Sequence, residues 1–334
     1  MGNSTRRIGL LTGGLVVAAT TLTGCFQTYD NAYPEGDDVR LDMPGQFRAA
    51  GDRGEVYGVI EDTARDVNGT VAELVQGVGT VVAALGNDPE TRMDGQWRVY
   101  GPFEDDKGRD LAWMVKIQGD ATSTDYEVLV GDRSAVSAAE MDIVMEGAIT
   151  IDGSERSGDF TLDFDAIEKH PAVKDPEDAG VTFAGSIDVE FSRDVDSEQK
   201  TVTIDFNDFS ETAILGDAWF SDDIYAYERG AQGEGSFHLA VNGRWDEGAF
   251  GGMRVNRLEL DARWNAAEQG RARGMVLDIE NEDSGLPNGD LVINECFDAG
   301  GSLTYAGVND AYRVEFAHYV DGDETSCKFG EEDL

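Results

Sequence analysis

The sequence predicts a mainly β protein: a large curved antiparallel sheet, arranged as a meander, half-barrel or clam, with one long N-terminal amphipathic helix packed on it. Three observations carry this expectation. From residue 111 onward, apolar residues alternate with polar or small ones, the period of strands with one wet face. Clusters of Asp, Gly, Asn and Ser separate the runs and supply turns. Ahead of them lies a single apolar stripe at helical spacing.

The helix is expected over about residues 62–85. Val67, Val71, Leu74, Val75, Val78, Val81, Val82 and Leu85 fall on one face, with Arg65, Asp66, Glu73 and Gln76 opposite. Asp62 or Thr63 can cap its start, and Gly86-Asn87-Asp88-Pro89 stops it. Gly69, Gly77 and Gly79 each cost roughly 1 kcal/mol relative to Ala, so packing must hold this helix.

The strand runs follow in order. Leu111, Trp113, Val115 and Ile117 alternate first, then Phe160, Leu162 and Phe164, then Val181, Phe183, Ile187, Val189 and Phe191. Val202, Ile204 and Phe206 come next, then Phe237, Leu239 and Val241, then Leu258, Leu260, Ala262 and Trp264. Tyr312, Val314 and Phe316 close the series. Weak self-similarity suggests repeated hairpins, because stretches beginning at Gly147, Gly185 and Gly235 share a Gly-small-apolar-polar-apolar order that opens a strand. Residues 167–180 form the best internal linker, so residues 55–334 make either one β domain or two divided there.

The N-terminus carries an address. Arg6 and Arg7 precede an apolar stretch from Ile8 to Thr23, too short for a spanning helix. It ends in Leu22-Thr23-Gly24-Cys25, which resembles the lipobox of bacterial lipoproteins. The resemblance implies that 1–24 is a cleaved signal peptide and that the Cys25 thiol carries diacylglycerol. It places the mature chain in the bacterial cell envelope, anchored to a membrane. Phe26 after the cysteine, where that family reads Asp as a retention signal, implies the outer membrane. Thr5-Arg6-Arg7-Ile8-Gly9-Leu10 is also similar to a twin-arginine export signal, while an ordinary secretory signal fits as well. Residues 25–54 then read as a lipidated cysteine and flexible acidic tether, with an r.m.s. span of about 30 Å. A helix followed by a strand-rich body also resembles the half-barrel lipoprotein carriers of the envelope, in element order alone.

Once Cys25 is lipidated, Cys296 and Cys327 remain as an even pair. In an oxidising compartment they are expected to form a disulfide that locks the C-terminal tail onto the sheet. The three histidines offer little chemistry: His170 precedes Pro171, His238 faces solvent beside Phe237 and Leu239, and His318 shares parity with Val314 and Phe316. None falls in a metal-ligand spacing, and no nucleophile elbow, phosphate loop or dinucleotide fingerprint occurs. No catalytic, cofactor or metal residue is therefore assigned. Asp159, Thr161, Asp163 and Asp165 project from one side of a strand, with Asp188 and Glu190 doing the same on another and Asp194, Asp196 and Glu198 in the turn beyond. Calcium favours such oxygen clusters. Yet no segment matches the EF-hand pattern, Asp321-Gly322-Asp323-Glu324 is too short, and a solvated acidic face accounts for them.

The 334 residues carry 26 Lys+Arg against 67 Asp+Glu, a formal charge of −41. Nucleic acid is excluded as a partner, because it requires positive charge on the protein. The expected function is a non-catalytic envelope lipoprotein with a binding or scaffold role, holding an apolar ligand between helix and sheet or meeting an envelope protein. Two alternatives stand beside it. One is a carboxylate-based, glycosidase-like envelope hydrolase built on Trp219, Phe220, Asp222, Asp223, Tyr225 and Tyr227. The other is an acidic structural module of the surface.

Overall fold

The computed structural model describes residues 35–44, 54–72, 75, 92–105, 108–173, 180–213, 216–219, 224–246, 253–279, 286 and 288–334. The chain is mainly β and antiparallel, and it divides into two compact units. Among the described residues, one comprises 35–40 and Asp66–Asp196, the other Leu41–Arg65 and Ser197–Leu334.

The first unit is a meander of β1 (Arg92–Asp94), β2 (Trp97–Glu104), β3 (Leu111–Gly119), β4 (Ser123–Asp132), β5 (Asp142–Asp152), β6 (Glu155–Asp163) and β7 (Thr182–Asp194). Each strand pairs with the next. Its buried face runs in cross-strand rows: Tyr126, Gly147, Phe160 and Val189 in one, Val128, Met145, Leu162 and Ile187 in the next. The opposite face carries Asp125, Glu127, Glu146, Asp159, Asp188 and Glu190. The period of two thus sorts core from acid as expected.

The second unit contains β8 (Lys200–Ala213), β9 (Gly216–Trp219), β10 (Ile224–Arg229), β11 (Gly235–Asp246), β12 (Met253–Trp264), β13 (Gly270–Asp278), β14 (Leu291–Phe297), β15 (Leu303–Val308) and β16 (Asp321–Gly322). β10 to β16 form a meander, while β8 pairs first with β10 and then with β9. The exchange falls beside Asp208, which adopts the left-handed φ of +51°. Inward parity consequently shifts from Val202 and Ile204 to Phe209, leaving Phe206 half-buried.

Four glycines make these cores close-packed. Gly147, Gly158, Gly235 and Gly270 lie directly opposite Phe160, Phe191, Trp264 and Phe297. In each case a Cβ would fall within 2.8 Å of the facing aromatic side chain. At Gly158, Gly235 and Gly270 the ring folds over the backbone where a side chain is missing, which protects an otherwise weak strand position. Of the three similar stretches, one opens a strand with its glycine: Gly235 begins β11, whereas Gly147 and Gly185 lie inside β5 and β7.

Several expectations are corrected. The described helix α2 spans Glu55–Val67 and continues as a π-turn over Asn68–Ala72. It begins seven residues before the expected Asp62 or Thr63 cap. Both lie within it, Asp62 paired with Arg65 and the Thr63 hydroxyl donating to the Val59 carbonyl at 2.9 Å. The buried stripe extends upstream through Val56, Ile60 and Ala64, in phase with Val67, Val71 and Val75. The remainder of the expected helix, from residue 76 to its stop at Gly86–Pro89, lies outside the described residues.

Strand β6 ends at Asp163, whose side chain accepts the Ala166 amide and caps α3 (Phe164–Glu168). Phe164 and Asp165 are therefore helical. Residues 310–319 form successive turns rather than a strand, because Tyr312 and Phe316 meet at helical spacing, with the Phe316 amide donating to the Tyr312 carbonyl at 3.0 Å. Residues 35–44 of the expected tether are folded: α1 (Gly36–Val39) forms there, and Asp38, Val39, Leu41 and Met43 are buried. Residues 167–173 pack within the first unit, where the Glu168 carboxylate accepts the Phe183 amide at 2.8 Å.

Two glycine substitutions separate these roles. Gly235→Ala is expected to lower stability by about 1–3 kcal/mol, since its methyl would meet the Glu228 carbonyl and the Trp264 ring. Gly58→Ala in α2 has open space and is expected to raise it by about 0.5–1 kcal/mol. Urea unfolding of both variants checks the contrast.

Candidate functional site

Cations are scarce in this chain, and six of them face one another across strand pairs. In the first unit Arg156 on β6 lies opposite Arg193 on β7, both at inward parity. Asp38 is inserted there, fully buried, accepting from Arg156 Nε at 2.8 Å and from a terminal nitrogen at 3.0 Å, with Arg193 at 3.8 Å. The second unit repeats the arrangement with Lys200 on β8 opposite Arg229 on β10. Asp42 accepts from both, at 3.4 and 3.2 Å, and its backbone amide and carbonyl each bond the Tyr227 hydroxyl at 3.1 Å. Two cations side by side repel, and burial magnifies the repulsion. The carboxylate from the N-terminal segment makes each pair tolerable.

A third pair lies on the other face of the second unit, where Arg263 on β12 faces Arg271 on β13. Here the C-terminal segment supplies the acceptors. Arg271 is 2% exposed and donates to the carboxylates of Glu324 at 3.0 Å and Glu331 at 3.1 Å, and to the Phe329 carbonyl at 3.2 Å. Arg263 donates to the Asp333 carbonyl at 3.0 Å and lies over the Phe329 ring at 5.3 Å. The Asn294 amide also donates to Glu331, at 3.1 Å. Cys296 and Cys327 form the expected disulfide, with 5.5 Å between their Cα atoms, and so fasten this segment to β14.

A carboxylate does the converse work for α2. Glu295 on β14 points inward, in a row with Ala262, Ala272 and Ala306, and is fully buried. Its two oxygens accept the amides of Val56 at 3.1 Å and Tyr57 at 2.8 Å. The helix N-terminus is thus capped from a strand far along the chain instead of by a local residue. Burial drives the Glu295 pKa up, and the amide hydrogen bonds offset this only in part. The small neighbours give the helix backbone its room: a Cβ on Gly54 would overlap the Glu295 carboxylate.

Beside the third cation pair, His238 Nδ1 meets Asp261 at 2.7 Å, and Arg273 donates to the same carboxylate at 2.8 and 3.2 Å. The Asp261 hydrogen bond, against the opposing effect of burial, raises the His238 pKa above its ordinary 6.5. Burial alone would raise Asp261, but the bonds from His238 and Arg273 outweigh it and hold that carboxyl low. Among the described residues, no hydrogen bond joins His238 to a hydroxyl or thiol nucleophile, so the cluster is an oriented cation pair on one carboxylate. His170 and Lys169 converge similarly on Asp142, each at 2.9 Å, and His318 is exposed beside Phe316.

The other singled-out residues are dispersed. Tyr225 and Tyr227 are buried in the core, against Phe237 and Trp264, and so form no exposed aromatic platform. Trp219 ends β9, while Phe220, Asp222 and Asp223 lie outside the described residues, as does Cys25. Asp188 accepts from Thr161 at 2.5 Å, Asp165 takes the Gly185 amide, and Asp323 takes the Thr325 amide. No group of three or more metal-ligating side chains gathers among the described residues. Sequence reasoning passed over Asp38, Glu295, Arg156, Arg193 and Arg271. Three of these carry a legible signal, because Glu295 shares parity with Ile293 and Phe297, Arg156 with Phe160, and Arg193 with Phe191. The chain is thus an antiparallel β protein whose C-terminal segment is fastened by a disulfide. No protein-family model, curated protein or solved structure matches it.

Asp38→Asn removes the buried negative charge that Arg156 and Arg193 share, while the half-exposed Glu35 stays 3.6 Å from Arg156, and is expected to cost about 3–5 kcal/mol in urea unfolding. Asp42→Asn should cost less, because that side chain keeps contact with water. The elevated His238 pKa has a defined sign: its stabilisation is complete below pH 6.5 and disappears as pH rises through the higher folded value. The melting-temperature gap between the wild type and His238→Gln should thus shrink from pH 6 toward pH 9.

Proposed function

We propose that this chain is a lipid-anchored lipoprotein of the bacterial cell envelope, with a binding or scaffold role. The observation that carries the reading is the Cys296–Cys327 disulfide. Such bonds persist in oxidising compartments outside the cytosol, and this one uses both cysteines other than Cys25. The lipobox-like Leu22-Thr23-Gly24-Cys25 supplies the anchor, with Phe26 directing the protein to the outer membrane.

The docked segment sharpens the geometry of anchoring. Folded structure starts by Glu35, ten residues after Cys25, and ten residues reach at most about 35 Å. A lipid on Cys25 would hold the body within that distance of the bilayer. The buried stripe of α2 and its capping by Glu295 support a helix fastened to the sheet. In this reading the body meets an apolar ligand or an envelope protein.

The test is fractionation with mass spectrometry of the N-terminal peptide. The wild type should sediment with membranes and carry a diacylglyceryl group on Cys25, whereas Cys25→Ala should move to the soluble fraction or retain its signal segment without lipid. An unmodified Cys25 in membrane-bound wild type would overturn the proposal.

A further inference from the structure

We propose that the C-terminal segment Asp321–Leu334 is a releasable strap, latched by the Cys296–Cys327 disulfide over a trough that binds carboxylate-rich peptides. The trough is floored by Arg271, Asn294 and Tyr305 and edged by Arg263. The strap is its intramolecular occupant. It carries Asp321, Asp323, Glu324, Glu331, Glu332 and Asp333 against a single Lys328, matching the arginines in charge.

The three cation pairs differ in how firmly their acid is held. Asp38 is fully buried, so its removal strands charges in the core. Glu324 and Glu331 remain 53% and 61% exposed, and ion pairs to such groups are weak. The strap contributes no residue to the buried hydrophobic core, and its strand β16 is two residues long. What it covers is buried nonetheless: Arg271 and Cys296. The covalent bond is therefore the main tie, and breaking it frees the segment without dismantling the strands beneath.

Release takes two electrons and two protons from a dithiol, the chemistry of envelope thiol oxidoreductases. A thiolate of the dithiol attacks Cys327 Sγ, the half-buried sulfur, and Cys296 leaves as a thiolate that takes up a proton. The second thiol of the reductant resolves the mixed disulfide, returning Cys327 as a thiol and leaving the reductant oxidised. Arg271 and Arg263 then face solvent and accept an acidic segment in place of the strap.

The test compares the mature chain before and after dithiol treatment, at about 0.15 M salt so that the acidic body's long-range repulsion is screened beyond about 8 Å. Reduction should speed hydrogen exchange across 321–334 at least tenfold while β11–β14 change less than twofold. A fluorescent peptide of residues 321–334 carrying Cys327→Ser should bind the reduced chain at least tenfold more tightly than the oxidised one. Arg271→Gln should abolish that binding. Glu324→Gln with Glu331→Gln, both on exposed side chains, should weaken the strap and tighten peptide binding to the reduced chain. Strap protection that survives reduction, loss of protection in β11–β14 together with the strap, or a reduced chain blind to the peptide would each overturn the proposal.

Discussion

Two like charges placed opposite one another on neighbouring strands are an instability that the surrounding structure must answer. Among the described residues, two cations stand in that arrangement three times, at Arg156 and Arg193, Lys200 and Arg229, and Arg263 and Arg271. Each time the answer comes from a terminal segment rather than from a neighbouring strand. Asp38 and Asp42 arrive from before the strands begin, and Glu324 and Glu331 from after they end. The strands thereby specify where each terminus docks. In the two inward pairs a carboxylate shared by two cations is fixed in position more sharply than an apolar contact would fix it, since displacement strands the charges.

Glu295 obeys the same rule with the sign reversed. A lone carboxylate facing the core is costly, and its raised pKa records that cost. The positive end of α2 answers it through the Val56 and Tyr57 amides. The entry of the helix and the inward acid are mutually dependent, and the residues around them are kept small for that reason. The sheet surface there has Ala262, Ala272 and Ala306 in the Glu295 row, with Gly274 nearby, whose Cβ would press on Val56 at 3.0 Å. Tyr57 completes the contact by stacking on Phe297 at 4.0 Å.

This division explains which parts of the structure are legible in the sequence. Alternation such as Phe237, Leu239 and Val241 reports a local property, the two faces of a strand, and β11 and β12 stand where it places them. The Cys296–Cys327 bond follows from counting. Helix α2 begins earlier than its apolar stripe suggests, because its cap is a residue more than two hundred positions away. Phe164 continues the strand alternation in sequence, yet Asp163 finds the Ala166 amide and turns the chain into α3. Tyr312, Val314 and Phe316 satisfy both a strand period and an i, i+4 contact, and alternation alone does not separate them. Buried charges are the informative exceptions: Arg156 and Glu295 sit at the parity of their apolar neighbours, so the pattern marks them as inward even though composition argues otherwise.

The charge of −41 takes on a different meaning once these positions are seen. Acid on the wet face of the first unit is plentiful and interchangeable, and it keeps the body hydrated. Cations are few, and six of them oppose one another across paired strands. In an acidic protein almost any segment could supply the compensating carboxylate, so specificity cannot come from the acid itself. It comes from depth. Asp38 reaches a pair on the inward face, while Glu324 and Glu331 touch a pair on the outward face and stay wet. The inward docking needs no covalent support; the outward one carries a disulfide.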